Sequence, residues 1–291
     1  MDFLDIIIRG GLLGAIYSLI AIGLNLQYGV TRILNIAHGE FLMVGAYVTW
    51  FVFTFLGVNP LVSLVISGPA VFVLGVLVQV IVFRRLVRVS ASGEELEFRS
   101  LLACFGLMFI IENVVTSIQH LDNWPPQVGT PYLYETVNIL EERVQLNMIV
   151  AAVLSLVVGV LMYILLRSTR LGLAMRATVE EPTGARLVGI NIFKVHAVSF
   201  GLGALLAALA GSMLVMIYTV DPFFGPPKTF IALAVIILGG MGSFVGSLLG
   251  GFFIGYVYYI TLATQPLLPM AVVYIFIIIM LIIKPKGFFG R

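Results

Sequence analysis

Asn35, His38 and Glu40 stand close together in RILNIAHGEFLMVGAYV (32–48), at the mouth of a run otherwise apolar enough to lie in lipid. A charged side chain at the bilayer centre costs about 2.5–3.5 kcal/mol on insertion scales, so such groups face a protein interior or a watery cavity. Two readings follow for His38 and Glu40. They either sit at the cytoplasmic end of their helix, hydrated or capping backbone, or they line a pathway. Asn35 suits the N-cap of a helix starting at Ile36, aiming free N–H groups and the positive dipole end at whatever lies below. Such a start can hold a carboxylate, and Glu40 complements an ammonium, so the set suits a zwitterion. Glu112, with Asn113 beside it, lies deeper in another apolar run, where it would pair with a polar group or bind a proton.

No catalytic or metal-ligating set accompanies these residues. The phosphate loop G-x-x-x-x-G-K-[ST], the zinc motif H-E-x-x-H and the nucleophile motif G-x-S-x-G are absent, and nothing has metal-ligand spacing. GLGALL (201–206) lacks the strand and acidic partner of a dinucleotide loop. Cys104 is the only cysteine, which excludes an internal disulfide. No cofactor is expected in this chain. If ATP drives it, another subunit must bind the ATP.

The elements that position these residues follow from composition. Of 291 residues, 60% are hydrophobic and 10% charged, and the mean hydropathy is +1.12. This is the profile of an integral membrane protein. Apolar runs long enough to cross about 30 Å of hydrocarbon as helix fall near 5–28, 36–57, 61–83, 100–119, 147–166, 196–219 and 267–283, while 229–264 is too long for one span. Asp2 and Asp5 stand where a secretory signal would be basic, so the first apolar run is expected to stay as a span.

Charge orients the bundle. The segments 84–99 and 167–194, the tail KPKGFFGR (284–291) and Arg32 hold 13 of the 16 Lys and Arg residues, whereas 120–145 has Arg143 alone against four acids. The positive-inside rule places the first set in the cytoplasm and 120–145 outside, with the N-terminus outside and the C-terminus cytoplasmic. Trp124, Tyr132 and Tyr134 suit a loop at the outer interface. That count requires 229–283 to cross an odd number of times, which a break at GGMGS (239–243) supplies. Breaks of this kind occur where backbone lines a cavity. The expected fold is all-α: a single polytopic membrane helical bundle over 1–291, of eight or nine spans with broken or half-spanning helices.

Rows of small residues four apart, Gly10, Gly14 and Ser18, then Gly203, Ala207 and Gly211, then Gly242, Gly246 and Gly250, lie on helix faces and predict close helix packing. Between the spans, LGLAMRATVEEPTGARLVGI (171–190) has helical apolar spacing at Leu173, Ala177, Ala185 and Val188. It reads as an amphipathic helix that either lies on the anionic inner leaflet or docks on a partner.

Four segments, YGVTRILNIAHGEFLMVGAYV (28–48), RATVEEPTGARLVGIN (176–191), ILGGMGSFVGSLLGG (237–251) and KPKGFFGR (284–291), resemble, in the same order, those of the branched-chain amino-acid ABC importer permeases, specifically the H-type of their two permease subunits. The resemblance runs over nearly the whole chain. It implies the fold of type II ABC importer permeases and a complex in the cytoplasmic (inner) membrane. That complex contains a second permease, two cytoplasmic ABC ATPases that bind ATP and Mg, and an extracytoplasmic substrate-binding protein. It also implies a coupling loop over 167–195, with ATPase contacts at Arg176, Ala177, Glu180, Glu181, Ala185, Leu187, Gly189, Ile190 and Asn191. Pro182 and Gly184 replace better helix formers, so the docking helix is expected to begin after Pro182. The translocation pathway falls on Asn35, Ala37, His38, Gly39 and Glu40, with Gly239, Gly240, Gly242, Ser243, Glu112 and Asn113 as further expected members. The implied function is ATP-driven import of leucine, isoleucine or valine, by a transport subunit that is not itself an enzyme. The alternatives are a urea or short-amide ABC permease, which shares these motifs, and a proton-coupled carrier using Glu40, Glu112 or His38.

Overall fold

Asn59 opens the third helix by accepting the Leu61 N–H at 2.8 Å, with Pro60 in the first turn where its missing donor is not needed. The same local logic sets the other boundaries of the computed structural model, which describes residues 3–90, 92–125, 127–130, 135–139, 142–284 and 287–290. Its helices are α1 (Phe3–Thr31), α2 (His38–Leu56), α3 (Pro60–Val78), α4 (Arg84–Val89), α5 (Gly93–Leu121), α6 (Leu146–Ser168), α7 (Arg170–Glu180), α8 (Pro182–Leu187), α9 (Ile192–Leu214), α10 (Gly225–Gly239), α11 (Phe244–Thr264) and α12 (Pro269–Ile283). A π-helical turn, Gln79–Phe83, joins α3 to α4, so Pro60–Val89 is one apolar rod. Among the described residues, seven helices are long and apolar enough to cross a membrane, and α10 and α12 are shorter apolar helices.

The expected break in 229–264 lies between Gly239 and Phe244, at the glycines that suggested it. Other boundaries differ from expectation. Helix continues from the span near 61–83 to Val89 and resumes at Gly93, so most of 84–99 is helical rather than loop. Ser92 caps α5 by accepting the Glu95 N–H.

α1 and α9 form the buried centre: α1 packs chiefly on α11, and α9 on α3, α2 and α1. The small-residue rows do this packing. Gly14 lies against Phe252 and Gly251 against Ser18, whose hydroxyl donates to the Leu248 carbonyl at 2.8 Å. Gly211 meets the Leu42 carbonyl so closely that a methyl group would have no room. With lipid as apolar as leucine, this backbone approach is what holds the helices together. At the other extreme, only 6% of the spanning window of α5 is buried.

The segment 120–145 carries an antiparallel hairpin, β1 (Thr136–Ile139) with β2 (Glu142–Gln145), in which Thr136 pairs with Gln145. Val128 exchanges two 2.7 Å hydrogen bonds with Val220, tying this segment to the approach to α10. Trp124 stacks edgewise on Trp50, with centroids 4.9 Å apart, at the end of α2. Tyr132, Tyr134, Lys286, Arg291 and Asp2 lie outside the described residues.

Candidate functional site: the junction of α1, α2, α9 and α10

α1 ends at Arg32, whose φ of 56° turns the chain back, and α2 starts at His38. The His38 ring reaches back to α1, with Nε2 3.1 Å from the Ile20 carbonyl. α2 therefore starts beside a point about 16 Å short of the end of α1, inside the bundle rather than at its surface. His38 is 0% exposed and Glu40 1%. Their reading as hydrated groups at a helix end is excluded by that burial.

Gln27 organises this start. Its side-chain oxygen accepts from the Asn35 amide at 3.0 Å and lies 3.3 Å from His38 Nδ1, while its own N–H donates to the Phe200 carbonyl of α9 at 3.0 Å. Both ring nitrogens of His38 thus face acceptors. A neutral imidazole can donate to only one of them.

Asn35 does not cap the helix. Its side chain is committed to Gln27, and the position before α2 is Ala37, which offers no cap. Nor do the first N–H groups of α2 point at open space: His38 donates to Asn35, Glu40 to Ala37, and Gly39 to the Thr229 hydroxyl of α10 at 2.7 Å. The carboxylate cradle expected there is already filled by the protein's own acceptors.

Glu40 is different. Neither carboxylate oxygen has a hydrogen-bond partner among the described residues, and the group rests against Gly225, the first residue of α10. Gly39 packs on the Gly225 carbonyl, so α2 and α10 meet start to start. One turn into α10, Lys228 is 8% exposed and lies over three rings, Phe224 at 5.0 Å, Tyr218 at 5.6 Å and Tyr17 at 6.0 Å. Pro226 and Pro227 lie in the first turn of α10, where Gly225 and Lys228 are already buried.

The other end of α10 holds the glycine break. Gly240 and Gly242 take φ of 97° and 89°, conformations that suit glycine. Asn25 of α1 bridges the break, donating to the Ser243 carbonyl at 2.8 Å and the Ser247 hydroxyl at 2.6 Å and accepting from the Gly242 N–H. Phe288 and Phe289 donate to the Leu238 and Gly239 carbonyls, at 2.8 and 3.1 Å. Gly239, Gly240, Gly242 and Ser243 are thus one α10 length away from Asn35, Ala37, His38, Gly39 and Glu40, linked to them by α10 itself and by α1. Asn25→Leu is expected to lower stability by about 1–3 kcal/mol, because it removes the three hydrogen bonds that Asn25 makes across the break. Thermal unfolding of the purified protein in detergent checks this.

The other two expected pathway residues sit apart. Glu112 is partly exposed on α5, and Asn113 is exposed, its amide folded back on the Phe109 carbonyl at 2.8 Å.

Comparison with known proteins fits this architecture to a family. Residues 6–284 match the family model described as branched-chain amino acid transport system / permease component. The chain belongs to this family. It is 30% identical to the high-affinity branched-chain amino acid transport system permease protein LivH of Salmonella typhimurium, over 99% of this chain and 96% of that one. It is 29% identical to BraD of Pseudomonas aeruginosa, a permease protein described in the same words, over 87% of this chain and 84% of that one. A solved chain of PsaBC from Streptococcus pneumoniae in complex with Fab aligns over 97% of this chain and 92% of its own, at a TM-score of 0.49 and 12% identity.

In this permease, the segment between α6 and α9 is two helices rather than one. Glu181 ends α7 in extended backbone and caps α8 by accepting the Thr183 N–H at 3.1 Å, with Pro182 in the first turn. Helix does resume at Pro182, as its placement implied. The inward side of α7 carries Gly172, Met175 and Thr178, while Leu173 is 60% exposed. The apolar spacing through Leu173 and Val188 therefore marked the outward face. Arg176, Glu180, Glu181, Leu187, Gly189 and Asn191 are exposed, Ala177 and Ile190 half-buried. Ala185 is buried, and its carbonyl accepts the Ile190 N–H, which holds the turn.

Proposed function

We propose that the chain is the membrane-spanning permease subunit of an ATP-driven importer of branched-chain amino acids. The observation that carries this reading is the match, along nearly the full length of both chains, to a relative named for high-affinity branched-chain amino acid transport. Its partners are a second permease, two cytoplasmic ATPases that hold ATP and Mg, and an extracytoplasmic binding protein, in the cytoplasmic membrane with the N-terminus outside. This chain moves substrate and leaves hydrolysis to the ATPases.

The coupling route is mechanical. ATP-driven closure of the ATPases displaces α8, whose turn at Ile190 runs directly into α9 through the Asn191 cap on Lys194 N–H, 3.1 Å. α9 packs on α1, α2 and α3, and a packed interface shifts as a body rather than deforming locally. The displacement reaches the start of α2 through Gln27 and Phe200.

The test is uptake into proteoliposomes holding this chain with its neighbouring permease, ATPases and binding protein. ATP-dependent accumulation of leucine, isoleucine or valine is expected, with hydrolysis stimulated by liganded binding protein. Uptake of urea or a short amide alone would keep the architecture and change the cargo, and proton-driven uptake without an ATPase would replace the reading by a carrier.

A further inference from the structure

An acidic and a basic side chain, Glu40 and Lys228, lie inside the bundle at the start of α10 without an ion pair between them. Among the described residues, Glu40 and Lys228 belong to neither of the two ion pairs, Asp5 with Arg9 and Glu95 with Arg99. Both Glu40 oxygens are buried and unpartnered. Gly225, against which Glu40 rests, and Lys228 are about 4.5 Å apart along the helix axis.

Packing explains half of this arrangement at most. The rings of Phe224, Tyr218 and Tyr17 give the Lys228 ammonium a favourable electrostatic face, but nothing comparable is offered to Glu40. A ligand bearing one charge would satisfy one group and leave the other bare. A ligand with a carboxylate and an ammonium on one carbon satisfies both. The aromatic rings beside Lys228 supply apolar walls for an aliphatic side chain. The first N–H groups of α2, the other candidate for a carboxylate, are already used by Asn35, Ala37 and Thr229.

We propose that Lys228 and Glu40 form a transient station for the zwitterion of an aliphatic α-amino acid, Lys228 receiving the carboxylate and Glu40 the ammonium. The proposal rests on the importer reading and narrows it: urea and neutral amides carry no charge for either group. It places substrate recognition within the permease as well as in the binding protein.

The test uses the complete complex in proteoliposomes with leucine-loaded binding protein, and reads leucine imported per ATP hydrolysed. Lys228→Met, which keeps the length and apolar stem, is expected to lower this ratio by at least about tenfold, the loss typical of removing one member of a buried charge contact. Lys228→Arg restores the charge and is expected to recover most of the ratio. Should Lys228→Met fail to assemble, Glu40→Gln carries the test from the ammonium side with the same expected loss. A purely structural lysine would lower uptake and hydrolysis together, and an unchanged ratio overturns the station while leaving the importer intact. A ratio that falls but is not recovered by arginine overturns carboxylate recognition. Wild-type complex that imports urea or an amide but no branched-chain amino acid removes the importer reading and the station together.

Discussion

Replacing Leu187 with Asp is expected to strip the ATPases from the purified complex while the chain itself inserts at normal yield. Leu187 is 85% exposed and Val188 77%, at the end of a cytoplasm-facing helix in the proposed orientation. They are large apolar groups with nothing of their own chain to cover them. Burying a leucine against a partner contributes about 1.5–3 kcal/mol, so a charge there should weaken docking by more than tenfold. Because the side chain makes so little internal contact, the substitution leaves the fold's stability almost unchanged. Gly189→Arg would be a less clean probe: Gly189 sits at φ of 86°, and any side chain there strains the turn as well as the interface. Affinity purification through this chain, with ATPase quantified in the eluate, gives the answer. ATPase retained at wild-type stoichiometry would withdraw the docking role from 182–191.

The second large effect is expected from one methyl group. In Gly39→Ala the added Cβ would overlap the Gly225 carbonyl and the Thr229 hydroxyl, so α2 and α10 must separate and the Gly39 N–H must give up its acceptor. Overpacking of this kind costs about 1–3 kcal/mol. The predicted signature is uptake reduced by at least about tenfold, with a lowered unfolding temperature. Gly106→Ala is the control, since a Cβ at Gly106 meets nothing within 4 Å and alanine favours helix. Transport at the wild-type rate by Gly39→Ala would mean that the α2–α10 contact is no part of the moving pathway.

The rods of this fold were legible because lipid imposes length and composition together, and the α10–α11 break was legible because its apolar stretch was too long for one span. Depth was not. A helix beginning inside the bundle and one beginning at its surface show the same hydropathy, so Asn35, His38 and Glu40 read equally well as hydrated or buried. The burial of His38 and Glu40 and the reach of His38 to Ile20 decide between them. Asn25 and Gln27 escaped notice because single amides barely dent a hydropathy window, although two amides in AIGLNLQYG (21–29) were the available signal. Lys228 was hidden by its setting: DPFFGPPK (221–228) has the composition of a loop, yet a proline pair ahead of an apolar run is also how a helix begins. On α7 the periodicity marked the outward face that a docking or leaflet-bound helix needs: Gly172, Met175 and Thr178 pack inward and Leu173 is left for whatever lies outside.

The hydrogen bonds from Phe288 and Phe289 to the end of α10 set an order of manufacture. Translation delivers Gly239 to the membrane well before those phenylalanines exist, with α11 and α12 to be made and inserted in between. Until then the carbonyls of Leu238 and Gly239 lack the donors that later satisfy them. The half-length helix can thread early, but its inner end is fastened late, by a contact that joins distant parts of the sequence and closes slowly for that reason. A nascent chain stalled after α12 would hold all its apolar rods and still lack the fastening at the end of α10.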